Sequence, residues 1–313
     1  MPQISFITLS FNHFQMLRDC ISSIQANTSQ ISYEIIIIDN NSSEGNIFEQ
    51  IKATPEVRIY RNKKNLGWPS AINQGISLAQ APYLCIVDND IVFTDNAAEK
   101  MLELCKAENG DVIIGPRLLS VSGDIQKSII GVENLGNIIS TAFLLNDLFP
   151  KCRLFNPHAQ NFQNSKHPFN VEALAGACLL FHRRVIDKLQ GFDSNFFFHY
   201  ADLDICWRLN CEGGKVIYCP NISVTHLGNV STMSAGDPLL KETVYDMMNY
   251  YRKRFPSYER MLVIIFLIIS RINRISILLF LGIISMNRTT IRRSYQLLIK
   301  SSIILKNLVE TGI

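Results

Sequence analysis

Charged side chains are scarce in this sequence: Asp, Glu, Lys and Arg supply 18 % of 313 residues, while 47 % are apolar. That balance excludes an intrinsically disordered chain, and 16 Gly with 11 Pro are too few for collagen-like or low-complexity structure. The eight cysteines are scattered, with no CxxC pair and no Cys/His cluster at zinc-finger spacing. Several lie inside apolar runs, Cys85 in YLCIV and Cys178 in GACLL, which reads as buried reduced thiols and not as a disulfide framework. The opening residues, MPQISFITLSFN, lack the basic patch and apolar stretch of a secretory leader, so a cytoplasmic location is expected. No G-x-x-x-x-G-K loop follows the first strand, which argues against a nucleotidyltransferase built on such a loop. Nucleic acid is not an expected partner, because the basic residues lie among long aliphatic runs without the interleaved aromatics of a stacking platform.

What charge there is lies unevenly. The net value is +3, yet residues from Val244 onward hold eleven basic and three acidic side chains, +8, against 19 and 24, −5, before them. Composition therefore divides the chain into residues 1–243 and a basic, apolar segment of residues 244–313.

The first part alternates strand and helix signals. Ile4–Leu9 is an apolar run ending in Ser10-Phe11-Asn12, and Phe14, Leu17, Ile21 and Ile24 then recur at helical spacing. Glu34–Ile38 is almost entirely β-branched, as expected of a strand covered on both faces, and it ends in Asp39-Asn40-Asn41-Ser42. Val57–Tyr60 reads as a strand, residues 71–78 as a helix, and Tyr83–Val87 as a buried strand running into Asp88-Asn89-Asp90. This order predicts an α/β domain with a mostly parallel sheet, whose ligands bind beyond the carboxyl ends of the strands. The pattern loosens from Leu118 to Pro168, with a polar loop or lid expected over residues 156–168. Leu174–Phe181 is read as one strand, Arg184–Leu189 and Ile205–Leu209 as short helices, and Lys215–Cys219 and Ile222–Val224 as separate late strands.

In the basic segment, Met261–Ile269 and Ile275–Ile284 are apolar runs separated by Ser270, Arg271, Asn273 and Arg274. Neither run approaches the ~20 residues of a membrane span. Joining them places two arginines near the middle, at a cost of ~2.5–3.5 kcal/mol each on insertion scales. A membrane-surface hairpin, or helices packed on the core, is expected instead. Beyond it, Ile291, Tyr295, Leu298, Leu305 and Val309 share one helical face, and Arg288, Arg292, Arg293, Lys300 and Lys306 lie mostly on another. Such a helix suits an anionic membrane surface, or docks on its own domain with its charges in solvent.

Two acidic constellations carry chemistry. Asp88 and Asp90, two positions apart at a strand end, can face one cavity and hold a hard divalent cation, although an Asx turn is the commoner use of such a triplet. Asp39 stands at an equivalent strand end and either accepts a hydrogen bond from a nucleotide or caps the turn. Asn65-Leu66-Gly67 and Asn73-Gln74-Gly75 add amides and glycines that permit close backbone approach to a ligand. Ala201-Asp202-Leu203-Asp204 follows three phenylalanines, and an apolar wall raises a carboxylate's proton affinity. His226, after a late strand, is a candidate metal ligand or phosphate contact, or a satisfied structural residue.

The ordered set SFN, IIDNNS, NLGWPSAINQG, VDND, GACLL, GFDSNFFFHYADLDICWRL and VTHLG resembles the family 2 inverting glycosyltransferases of GT-A fold. The likeness is to rhamnosyltransferase-like members that build bacterial surface polysaccharides, and it covers about residues 3–232. The resemblance implies a nucleotide-diphosphate sugar donor, a glycan or lipid-linked acceptor, and Mg²⁺ or Mn²⁺. It places the nucleotide on Ser10, Asn12 and Asp39, the donor on Asp88, the metal on Asp90 with His226 nearby, and the base on Asp202. Where most relatives have Glu this chain has Ala201, a departure that bears on acceptor orientation and on the tuning of the base. A binding or scaffold subunit that has lost catalysis is the alternative. For the active protein, the expected place is the inner face of the plasma membrane, held peripherally by the basic tail.

Overall fold

The runs of β-branched residues form the middle of a sheet. The computed structural model describes residues 1–149, 152, 155, 165–228 and 236–284. Strands β1 (Ile4–Ser10), β2 (Tyr33–Asp39), β3 (Val57–Arg61) and β4 (Tyr83–Asp88) are parallel neighbours in the order β3-β2-β1-β4. Ile35, Ile36, Ile37 and Ile38 are all fully buried, which is why β2 shows no polar alternation. Helix α1 (Phe14–Ala26) buries Phe14, Leu17, Cys20, Ile21 and Ile24, the residues spaced by three and four. After the short α2 (Ile47–Gln50), α3 (Trp68–Leu78) begins with Pro69 in its first turn, where a missing N–H costs no helical bond.

The sheet continues with strands from later in the chain. These are β5 (Ile91–Phe93), β6 (Val112–Leu119), β10 (Cys178–His182) and β11 (Lys215–His226), set in the order β4-β10-β6-β11-β5. Strand β10 is antiparallel to both β4 and β6, whereas β11 is parallel to β6, so the sheet is mixed but mostly parallel in its first half. β8 (Phe169–Asn170) pairs with β11, and β7 (Ile129–Ile130) pairs with β9 (Ala173–Leu174) in a separate ribbon. Helices α4 (Ala97–Ala107), α7 (Arg183–Lys188) and α8 (Ala201–Cys211) complete this part. None of the eight cysteines is bridged, and burial pushes the thiols of Cys206 and Cys219 up to about 12, so they stay protonated at neutral pH.

The structure corrects three readings. Residues 174–181 do not form one strand, because the chain breaks between β9 and β10, where the Gly176 amide turns to donate to Asp202. The late strands at 215–219 and 222–224 are one, with an irregularity absorbing Pro220, Asn221 and Ile222 where the register against β6 shifts between Cys219 and Ser223. The polar residues at 270–274 do not interrupt the tail, since α10 (Ser257–Ile284) runs through them, and no hairpin forms there.

The chain forms two compact units, residues 1–132 with 161–235, and residues 133–160 with 236–313. The division expected between 243 and 244 falls inside α9 (Gly236–Arg254). In the second unit α5 (Leu135–Ala142) and α6 (Leu145–Leu148) give order to part of the stretch read as loose. Its α10 packs against α5, whose last carbonyls lack partners within the helix. Ser270 Oγ donates to Thr141 O (3.4 Å), Asn273 Nδ2 donates to Ala142 O (2.8 Å), and Arg274 pairs with Asp147 at 3.1 Å. Among the described residues, no helix is long and apolar enough to cross a membrane. Residues 156–164 of the expected lid and the amphipathic stretch from Arg288 to Val309 lie outside the described residues.

Candidate active site

Parallel strands that start together also end together. Ser10 stands opposite Asp39, and Leu9 opposite Asp88, so the last residues of β2, β1 and β4 share one edge of the sheet. Beyond β4 the chain turns through Asn89 and Asp90 into β5. That short strand pairs with the end of β11, placing His226 opposite Ile91, and Leu227 N donates to Asp90 O (3.0 Å). Asp88, Asp90 and His226 each offer one ligand atom, and these atoms lie within 4.8 Å of one another.

The electrostatics of this cluster follow from its crowding. Burial pushes the Asp88 carboxyl up to about 7; Asp90 and, more weakly, Asp202 add to the rise, while His226 and Trp68 oppose it. The Trp68 indole N–H donates to Asp88 Oδ1 at 3.3 Å. His226 Nε2 stands 3.4 Å from Asp90 Oδ2, and this contact raises the imidazole's pKa against the effect of burial. The other face of the ring meets Gln126, with Nδ1 2.6 Å from Oε1.

Asp202 opens α8, behind Tyr200 in the left-handed region. Its Oδ2 accepts from Gly176 N and its Oδ1 from Leu203 N, both at 2.9 Å. A Cβ on Gly176 would meet Asp202 Cβ at 3.2 Å, a tight contact, and the Trp68 ring at an ordinary 3.6 Å, so glycine eases this approach. Burial lifts the Asp202 carboxyl above the ordinary aspartate range, and the two amides hold it back. Asp204 stands apart from this chemistry: it is buried against Arg208 at 2.7 Å, and Arg208 also reaches the carbonyls of Leu189 and Gly191.

Asp39 is fully buried. Its Oδ1 accepts from Ser42 N (3.1 Å) and from the Ser42 hydroxyl, and Oδ2 faces Arg61 Nε at 3.2 Å as an ion pair without hydrogen-bond geometry. Ser10 Oγ is likewise buried and without a hydrogen-bond partner. The amides at the predicted site are engaged with protein. Asn12 Oδ1 accepts from the amides of Ser43 and Glu44 (2.8 and 3.1 Å), joining the β1 and β2 ends. Asn65 Oδ1 accepts from Asn40 Nδ2 (2.7 Å), and Asn40 Nδ2 also reaches Gly67 O. Gly67 has φ 80°, and a Cβ there would come 2.5 Å from Phe197 O. Asn73 clips Phe192 from both ends, donating to its carbonyl (2.7 Å) and accepting from its amide (2.9 Å).

The structure thus gathers Asp88, Asp90, His226 and Asp202, sets Ser10 and Asp39 together along the same edge, and uses Asn12, Asn65 and Asn73 to fasten the loops around them. Trp68 and Gly176 touch this site from inside the segments NLGWPSAINQG and GACLL, though neither stands out there as a site residue, and Gln126 lies outside every motif, because each acts through a contact between distant segments.

The mixed sheet with acidic residues at the ends of its parallel strands has the GT-A fold. A solved structure of GalNAc-T7 with UDP, GalNAc and Mn2+ matches 78 % of this chain and 47 % of that chain with a TM-score of 0.58 at 17 % identity, a likeness of fold. The profile of Glycosyl transferase family 2 matches residues 5–189, and the chain belongs to that family. Among curated relatives, N-acetylglucosaminyl-diphospho-decaprenol L-rhamnosyltransferase of Mycobacterium tuberculosis is 23 % identical over 206 residues, 61 % of this chain. The O-antigen biosynthesis protein RfbC of Myxococcus xanthus is 22 % identical over 240 residues, 76 % of this chain. The chain spans 66 % of the length of the first relative and 18 % of the second.

Proposed function

We propose that this chain is an inverting glycosyltransferase that moves a sugar from a nucleotide-diphosphate donor to a hydroxyl of a glycan or lipid-linked acceptor in bacterial surface polysaccharide synthesis. The observation that carries this reading is the Asp88, Asp90 and His226 cluster, its ligand atoms within 4.8 Å, with Asp202 close enough to Asp88 to raise its pKa. Family membership and the two curated relatives support the reaction class.

Two carboxylates and an imidazole suit Mg²⁺ or Mn²⁺, so Asp88, Asp90 and His226 would hold the ion. Bound there, such an ion supplies Lewis-acid stabilisation of the charge on a departing diphosphate. Asp39 Oδ2 and Ser10 Oγ, buried and lacking hydrogen-bond partners, are the groups for the nucleoside, since buried polar atoms ordinarily have partners. Asp202 takes the proton of the acceptor hydroxyl as that oxygen attacks the anomeric carbon from the face opposite the leaving group. Its raised pKa makes it the stronger base, and Gly176 and Leu203 fix its direction. The protein acts at the cytoplasmic face of the membrane, attached by the basic, apolar tail.

Replacing Asp202 with Asn keeps the size and removes the base. Transfer should fall by ~10²–10⁴-fold, the usual contribution of a general base, with donor affinity measured by calorimetry unchanged. Turnover near that of the wild type would overturn the assignment. Ala201, buried and without a titratable group beside Asp202, favours a second reading, a donor-binding subunit without transferase activity. Release of nucleoside diphosphate from a panel of nucleotide sugars, dependent on Mn²⁺, separates the two, because a mere binder releases none.

A further inference from the structure

Gln126 meets His226 twice. Its Nε2 lies 2.9 Å from the His226 backbone carbonyl, and its Oε1 lies 2.6 Å from His226 Nδ1. A carbonyl oxygen only accepts, so the amide nitrogen must face it, and that fixes which end of the amide meets the ring. The amide oxygen also only accepts, so Nδ1 carries the hydrogen. In the neutral imidazole the lone pair then belongs to Nε2, the nitrogen that points toward Asp90. Resting on the cation-site reading above, we propose that Gln126 is a positioning residue that holds His226 in the Nδ1–H tautomer and presents Nε2 to the cation shared with Asp88 and Asp90.

The supporting backbone is firm on both sides. Gln126 N donates to Leu118 O (2.9 Å), and the turn before it is closed by Ser120 N to Asp124 O (2.8 Å) and Gly123 N to Ser120 O (2.9 Å). His226 is held in β11 opposite Ile91. One half-buried side chain thus grips the ring and the main chain of the same residue, so the ring can neither flip nor swing without breaking a bond. Partners of this kind orient metal-binding histidines and are worth ~10–100-fold in metal affinity.

The test combines nitrogen-15 NMR of histidine-labelled protein with Mn²⁺ titration and thermal melts of full-length wild type, Gln126→Met and Gln126→Glu. Metal-free wild type in alkaline buffer should show His226 protonated at Nδ1 and bare at Nε2; the opposite tautomer overturns the proposal. Gln126→Met, which keeps the bulk and loses the acceptor, should mix the tautomers and weaken Mn²⁺ binding by ~10–100-fold. Gln126→Glu keeps the acceptor for Nδ1 but loses the donor to the His226 carbonyl, and should retain the tautomer and bind Mn²⁺ more tightly than Gln126→Met. Unchanged binding in Gln126→Met, or a loss in Gln126→Glu as deep as in Gln126→Met, overturns the positioning role while leaving the cation site intact. Wild type that binds no Mn²⁺ overturns the site and the role together. Should Gln126→Met fail to fold, the wild-type and Gln126→Glu tautomers decide.

Discussion

A carboxylate buried beside another is a cost in the absence of a cation. Burial and Asp90 raise the folded-state pKa of Asp88 from 3.8 to about 7, so the folded protein prefers Asp88 protonated. The sign follows by linkage: this preference stabilises the fold fully below about pH 4, fades as the pH rises, and is gone above about pH 7. In EDTA, wild type should therefore lose on the order of a few kcal/mol across that window. Asp88→Asn should lack this component, so denaturant titrations of the two proteins at a series of pH values should diverge as the pH rises. Mn²⁺ should restore the wild type alone at neutral pH, and parallel curves with and without the ion would remove Asp88 from the cluster. Much of this was visible in the residues: the D-x-D triplet, the aspartate after the phenylalanines and the late histidine are local patterns. What stayed hidden was pairing between distant segments, such as Trp68 on Asp88 or Gly176 on Asp202, which no spacing encodes.

At the scale of elements, periodicity located the interior strands because burial on both faces leaves a plain apolar run. It failed where a polar residue serves a neighbour. Ser270 and Asn273 read as a break, yet inside α10 they satisfy the terminal carbonyls of α5. Asn273→Ala leaves Ala142 O without that donor, and stability should fall by about 1 kcal/mol. Hydrogen exchange should speed up in α5 and α10 while β1 and β2 keep their protection. Equal exchange throughout, or no change in stability, would make the contact incidental. Gly176 marks the same limit: GACLL looks like an uninterrupted strand until the partner that bends it, Asp202, is in place.

For the whole molecule, charge distribution carries a prediction of its own. The +8 carried from Val244 onward should bring the protein to anionic vesicles at low salt. Reversing Arg288, Arg292, Arg293, Lys300 and Lys306 to Glu should abolish co-sedimentation with such vesicles and leave donor binding unchanged. Vesicle binding that is insensitive to salt and to these substitutions would end the electrostatic account. The place of β11 in the sheet carries a different consequence. Asp90 sits at the head of β5, and the only strand β5 pairs with among the described residues is β11, which also brings His226. A nascent polypeptide leaving the ribosome therefore displays both aspartates long before the strand that aligns them, and an unfinished copy cannot bring Asp88, Asp90 and His226 together until β11 has slid into its slot.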